Sequence, residues 1–197
     1  MNLPNQLTVS RIILSPIFMV FLLADGIHFL YMAFAIFLIA AATDVCDGYV
    51  ARRTGGATSF GKFMDPLADK LLISMALVGL LARGVPGLSG WMVVVIIARE
   101  LVVTGFRSLA AYRGLVIGAS RVARIKTVVQ MSLVGWILGT LTVLRNLEWL
   151  QHPDVVGAYS AGDAMLLVLL WTTVLLTTLS GLDYLIRNRD VLGGFLR

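Results

Sequence analysis

Apolar residues fall along this chain in six long blocks, separated by shorter polar stretches that hold most of its Gly and Arg. A hydrocarbon core about 30 Å thick takes roughly 20 helical residues to cross, at about 1.5 Å per residue. Windows of that length lie at about 5–24, 28–51, 63–82, 90–112, 125–145 and 164–186. They predict an all-α integral membrane protein, a six-transmembrane-helix bundle forming a single membrane domain over residues 1–197. The widest break, about 146–163, reads NLEWLQHPDVVGAYSAGD and has the Pro, Gly and Asp of a loop. No basic stretch precedes the first block and no convincing A-x-A cleavage site follows it, so it reads as a retained helix and not as a signal peptide.

Composition agrees with the pattern. Hydrophobic residues make up 58% of the chain and charged residues 14%, against about 45–50% and about 25% in soluble domains. Cys46 is the only cysteine, which excludes an intrachain disulfide and a cysteine-built metal site and suits a small buried apolar side chain.

Charge supplies an orientation. With the N-terminus in the cytoplasm, only Arg83 and Arg145 of the sixteen Lys and Arg fall at the far side, so the positive-inside rule puts both termini in the cytoplasm. Asp25, Glu148, Asp154 and Asp163 then lie outside, along with His28 and His152. The net charge of +5 is what inner-leaflet anchoring to anionic headgroups predicts; with no nucleic-acid motif in the chain, no nucleic-acid partner is expected.

Against this apolar background one segment stands out, DVCDGYVARRTGGATSFGKFMDPLADK, which holds Asp44, Asp47, Asp65 and Asp69. An ionised carboxylate beside hydrocarbon is costly unless paired, wetted or bound to a cation, so such a cluster points to function. Asp44, Asp47, Gly48 and Ala51 follow at i, i+3, i+4 and i+7, one face of the second helix. Asp65 and Asp69 are an i, i+4 pair on the third helix, with Gly61 one turn nearer its start. The polar turn RRTGGATS between the helices can bring the two faces together. Four carboxylates form an oxygen set suited to Mg²⁺ or Mn²⁺, whereas zinc would call for His and Cys. Two cations can be accommodated, because four like charges held close cannot all stay ionised uncompensated. Gly48, Ala51 and Gly61 leave room for a nucleotide diphosphate to approach.

The segment resembles the CDP-alcohol phosphatidyltransferase family, matching its signature D-x2-D-G-x2-A-R-x8-G-x3-D-x3-D at every fixed position. The resemblance implies that Asp44, Asp47, Asp65 and Asp69 hold two divalent metals against the pyrophosphate of a CDP-linked lipid, with Asp69 also the catalytic base. Gly48, Ala51, Arg52 and Gly61 would line the CDP site, and Asn5 and Thr8 of the first helix either face the donor or cap and anchor that helix. The implied reaction belongs to phospholipid biosynthesis: an acceptor hydroxyl attacks CDP-diacylglycerol and CMP leaves. Residues alone do not separate base from ligand at Asp69. A homodimer is also implied, and Gly135 with Gly139 is a small-xxx-small pair suited either to a dimer face or to an internal helix contact.

The acceptor must be read from elsewhere in the chain. The fourth block carries ARELVVTGFRSLAAYRG, with Arg107 and Arg113, and the fifth opens on ASRVARIKTVVQM, with Arg121, Arg124 and Lys126. A basic patch of this kind suits a phosphorylated acceptor, since Arg grips phosphate with paired hydrogen bonds; each residue of it also suits plain topological anchoring. These segments, with the opening NLPNQLTVSRI, are similar to the glycerol-3-phosphate branch of the family, departing from it at Ala123 and Arg124, where that branch often has Gly and Lys. Arg99 and Glu100 read as a local pair, Lys62 and Lys70 as snorkelling to the interface, and Asp183 as structural. Inositol phosphate explains the patch almost as well as glycerol 3-phosphate, and serine or a second phosphatidylglycerol less well. A divalent-cation transporter would carry its acidic residues across the bundle, whereas here they stop at one side.

Overall fold

The computed structural model describes residues 3–54, 59–112, 121–149 and 155–189, with side-chain surroundings at 6, 8–43, 64, 68, 70–111, 122–148 and 163–189. Each apolar block is a helix: α1 Leu3–Leu23, α2 Ile27–Thr54, α3 Ser59–Ala82, α4 Gly90–Tyr112, α5 Arg121–Trp149 and α6 Val155–Arg187. No strand occurs among the described residues. The 146–163 stretch, expected as a loop, is helical at both ends, since α5 continues to Trp149 and α6 begins at Val155. Likewise α2 runs through Arg52 and Arg53 into the expected polar turn, of which 55–58 lie outside the described residues. A hydropathy window stops where side chains become polar, but a helix continues for as long as its backbone bonds can be made.

Chain order is not packing order. α1 packs against both α2 and α3; α3 also meets α4, α4 meets α6, α6 meets α5, and α5 returns to α2. The helices thus close a ring in the order α2, α1, α3, α4, α6, α5, with α3 also touching α2 and α5 across it. Phe18, Leu22, Leu30, Phe37, Leu77, Leu80, Ile96, Leu133, Leu138 and Leu170 fill the interior. The outside is apolar as well: Val20, Ile39, Val94, Val128, Val168, Trp171 and Ile186 are all exposed. A bundle built for water would turn a polar face outward. Two described stretches, Val122–Glu148 and Asp163–Arg187, are long and apolar enough to cross a membrane, and Thr8–Leu23, Ile27–Thr43 and Lys70–Ala82 are shorter apolar helices.

The end where α1 and α3 finish is firmly built. Gly84 (φ 69°) closes α3 in the left-handed conformation, with Gly84 N donating to Leu81 O at 3.0 Å and Val85 N to Leu80 O at 3.3 Å. This is the two-bond Schellman arrangement, with buried apolar residues, Leu80 and Val85, at the two ends of the longer bond. The adjacent Arg83 donates through Nε to Leu22 O and through Nη2 to Ala24 O, satisfying carbonyls that the end of α1 leaves open. Asp25, Arg83, Arg145 and Glu148, four of the residues that charge placement assigned to one side, line one cavity of ≈ 540 Å³ there.

Glycines differ in how closely a neighbour approaches them. Cβ atoms on Gly135 and Gly139 would meet Phe37 and Phe34 of α2 at 3.8 Å, an ordinary contact, so α2 lies against this pair. At Gly79 a Cβ would stand 2.7 Å from Leu22 Cδ2, inside the α1–α3 crossing. Gly79→Val should therefore lower stability in detergent by about 1–3 kcal/mol through overpacking. Combining it with Leu22→Ala should show coupling of about 0.5 kcal/mol or more, measured by a double-mutant cycle on thermal unfolding; strictly additive losses would contradict the contact.

Candidate active site

The helices that carry the acidic signature meet each other and share a neighbour. Asp44, Asp47, Gly48, Ala51 and Arg52 stand on α2, and Gly61, Asp65 and Asp69 on α3, both unbroken helices, so the one-face register of each set holds. α2 touches α3, and α1 lies against both. The side chains of these eight residues, with those of Asn5 on α1 and Arg121 at the start of α5, lie outside the described residues, as does Arg113 altogether. Among the described residues no three His, Cys, Asp or Glu side chains gather.

α1 brings polar groups into the ring. Thr8, Arg11 and Ser15 are buried at i, i+3 and i+7, one stripe of a helix whose two neighbours are the acid-bearing ones. Ser15 Oγ donates to Arg11 O at 2.7 Å, so the serine bonds back into its own helix. Thr8 is thus within the protein and not capping an exposed helix end.

A charged centre lies on α4. Glu100 of α4 is 3% exposed, and its carboxylate is held by cations from three helices. Oε2 takes Lys70 Nζ of α3 at 2.8 Å; Oε1 takes Arg99 Nη1 at 2.9 Å and Lys126 Nζ of α5. Three cations on one carboxylate leave the group formally positive. The expected Arg99–Glu100 pairing is present, but it is one limb of a larger knot. Lys70 does not snorkel freely; it is 25% exposed and committed to Glu100. Lys126 is 1% exposed, whereas Arg107 and Arg124 of the same basic patch are exposed. Sequence reasoning passed over Glu100 as a centre, although a lone acid within an apolar block is a recognisable signal.

Other polar atoms border this region. Arg99 crosses α6 at Gly181, where a Cβ would lie 3.1 Å from Arg99 Cγ. Arg99 Nε, Gln130 Nε2 and Thr177 Oγ1 are buried without a hydrogen-bond partner among the described residues. Asp183 is structural on one side, its Oδ1 accepting from Arg187 Nε at 2.6 Å one turn on.

A family model, CDP-alcohol phosphatidyltransferase, matches residues 1–179. This chain belongs to the CDP-alcohol phosphatidyltransferase family. Its relatives include the CDP-diacylglycerol–glycerol-3-phosphate 3-phosphatidyltransferase of Bacillus subtilis, 40% identical over 97% of each chain. A probable phosphatidylglycerophosphate synthase of Mycobacterium tuberculosis is 40% identical over 98% of this chain and 84% of that one. The Rickettsia felis CDP-diacylglycerol–glycerol-3-phosphate 3-phosphatidyltransferase is 33% identical over 93% of each. In this phosphatidyltransferase, then, the signature spans α2 and α3 while the Glu100 knot joins α3, α4 and α5.

Burial separates this knot from ordinary ion pairs. Lys126→Met should destabilise the protein by about 2 kcal/mol or more, because it strips a partner from a buried carboxylate. Arg145, 61% exposed and 3.6 Å from Glu148, should change stability by less than about 0.5 kcal/mol on Arg145→Ala. Thermal unfolding of the two variants in one detergent checks the contrast.

Proposed function

We propose that the protein is a phosphatidylglycerophosphate synthase that transfers the phosphatidyl group of CDP-diacylglycerol to glycerol 3-phosphate in phospholipid biosynthesis. The observation that carries this reading is the complete acidic signature on two touching helices, in a chain similar over 97% of its length to a relative named for that reaction. Likeness along the whole length favours glycerol 3-phosphate over inositol phosphate, since the acceptor segments on α4 and α5 fall inside it.

The donor's cytidine diphosphate lies over Gly48, Ala51, Arg52 and Gly61, with Asn5 and Thr8 of α1 closing its side. The donor set is entirely carboxylate, which fits hard cations. Two divalent ions, Mg²⁺ or Mn²⁺, held by Asp44, Asp47, Asp65 and Asp69 would stabilise negative charge on the phosphate oxygens when bound. Asp69 accepts the proton of the acceptor hydroxyl as its oxygen forms a bond to the lipid-side phosphorus. The phosphorus–oxygen bond to CMP breaks, and CMP departs with that electron pair. Arg107 and Arg124, both exposed, meet the acceptor phosphate as it arrives from water, joined by Arg113 and Arg121, with Lys126 behind them.

All six helices span the cytoplasmic membrane as one domain, with both termini and the acidic site on the cytoplasmic side. The apolar outer surface supports this reading, as does the single cavity that collects Arg83, Arg145, Asp25 and Glu148 at the opposite end. The active unit is a homodimer.

Purified protein given CDP-diacylglycerol, Mg²⁺ or Mn²⁺, and one acceptor at a time should release CMP with glycerol 3-phosphate. Equal or faster release with inositol phosphate would overturn the acceptor. Asp65→Asn and Asp69→Asn should each lower turnover by about 10³-fold or more with the protein still inserted, the scale expected when charge stabilisation or a base is lost. Reporter fusions at the two termini should both read cytoplasmic, and one placed between α3 and α4 should read the far side.

A further inference from the structure

The chemistry proposed above uses residues on α3 and on α5, yet α4 supplies the group that joins them. We propose that Glu100 is a positioning residue: its buried carboxylate clamps Lys70 and Lys126 so that the helix of Asp65 and Asp69 and the helix of the acceptor cations keep a fixed mutual register. The inference rests on the phosphatidyltransfer reading for what α3 and α5 do, and on geometry for the clamp itself.

Three observations carry it. First, Lys70 directly follows Asp69 and lies five residues beyond Asp65, so whatever holds Lys70 holds the turn from which both aspartates project. A slip of one residue would move that turn by about 1.5 Å along the axis and rotate it by about 100°. Second, Lys126 stands two residues after Arg124 and five after Arg121 on α5, so the same carboxylate fixes the start of the acceptor helix. Third, α3 packs against both α4 and α5, and Glu100 reaches both of their cations with different oxygens, Oε2 to α3 and Oε1 to α5. One rigid carboxylate plane therefore spans the two halves of the site. Arg99, which shares Oε1, lies across Gly181 and brings α6 into the same arrangement.

Charge is what makes the clamp directional. Glu100 is the anion among three cations, and without it Lys70, Arg99 and Lys126 would repel one another within a buried space. A glutamine there keeps size and one acceptor oxygen but loses the attraction. The two limbs have separate signatures: the limb to Lys70 serves the turn of Asp69 and acts on turnover, while the limb to Lys126 serves the acceptor patch and acts on acceptor affinity.

The test uses the full chain in detergent micelles, following CMP release while glycerol 3-phosphate and CDP-diacylglycerol are varied in turn. Glu100→Gln should lower kcat and raise the glycerol 3-phosphate KM, each by about tenfold or more, as lost supporting partners do. The KM for CDP-diacylglycerol should move less than about threefold, and Glu100→Asp, which keeps the charge, should restore part of both losses. Lys70→Met should lower kcat by about fivefold or more and leave the glycerol 3-phosphate KM within about twofold. Wild-type constants in Glu100→Gln would overturn the proposal. So would losses that only track the folded fraction, measured by thermal unfolding in the same micelles. If Glu100→Gln does not fold, Lys70→Met decides: unchanged kcat overturns the clamp. Should the wild-type protein prefer another acceptor, the same ratios taken with that acceptor still judge Glu100, so failure of the substrate reading and failure of the clamp remain distinct.

Discussion

A carboxylate can sit inside an apolar helix bundle only if cations are brought in with it. In this protein that constraint organises the interior around Glu100. Hydrophobic packing is indifferent to rotation and sliding of one apolar helix on another, particularly when the outside is as apolar as the inside. A buried charge with partners on three helices is not indifferent, because every displacement separates opposite charges where no water can replace them. The knot thus supplies the specificity that an apolar bundle lacks, and it does so beside the helix that carries Asp65 and Asp69.

The ring order explains how a site can form between helices that scarcely pack on each other. α2 and α3 follow one another in the chain but meet only lightly, because α1 fits against both. On the α1 side, Thr8 and Arg11 are buried within the ring.

Much of this was legible in the sequence. All six helices were, since apolar blocks separated by polar stretches are a one-dimensional signal. Their ends were less so: α5 reaches Trp149 and α6 starts at Val155 because backbone bonding outlasts hydropathy. The acidic signature was legible as a pattern, four aspartates on two helix faces, since helical phase depends on spacing alone. Packing partners were not. Nothing in the spacing of Lys70 or Lys126 says that one carboxylate on α4 binds both, because that pairing is set by which helices lie side by side. Gly135 and Gly139 read equally as a dimer face or an internal contact, and only the packing shows Phe37 and Phe34 of α2 near them.

The bonds from Arg83 to the end of α1 make that end of α3 a fulcrum. Asp69 lies fourteen residues along the helix from Arg83, a lever arm of about 21 Å at about 1.5 Å per residue. On an arm of that length a tilt of about 1.5° already displaces the aspartate by about 0.5 Å, the tolerance within which a working constellation has to be held. Fixing one end of a rod is therefore not enough. Lys70, held by Glu100 at the other end of the arm, is the second point, and two fixed points are what it takes to define a line.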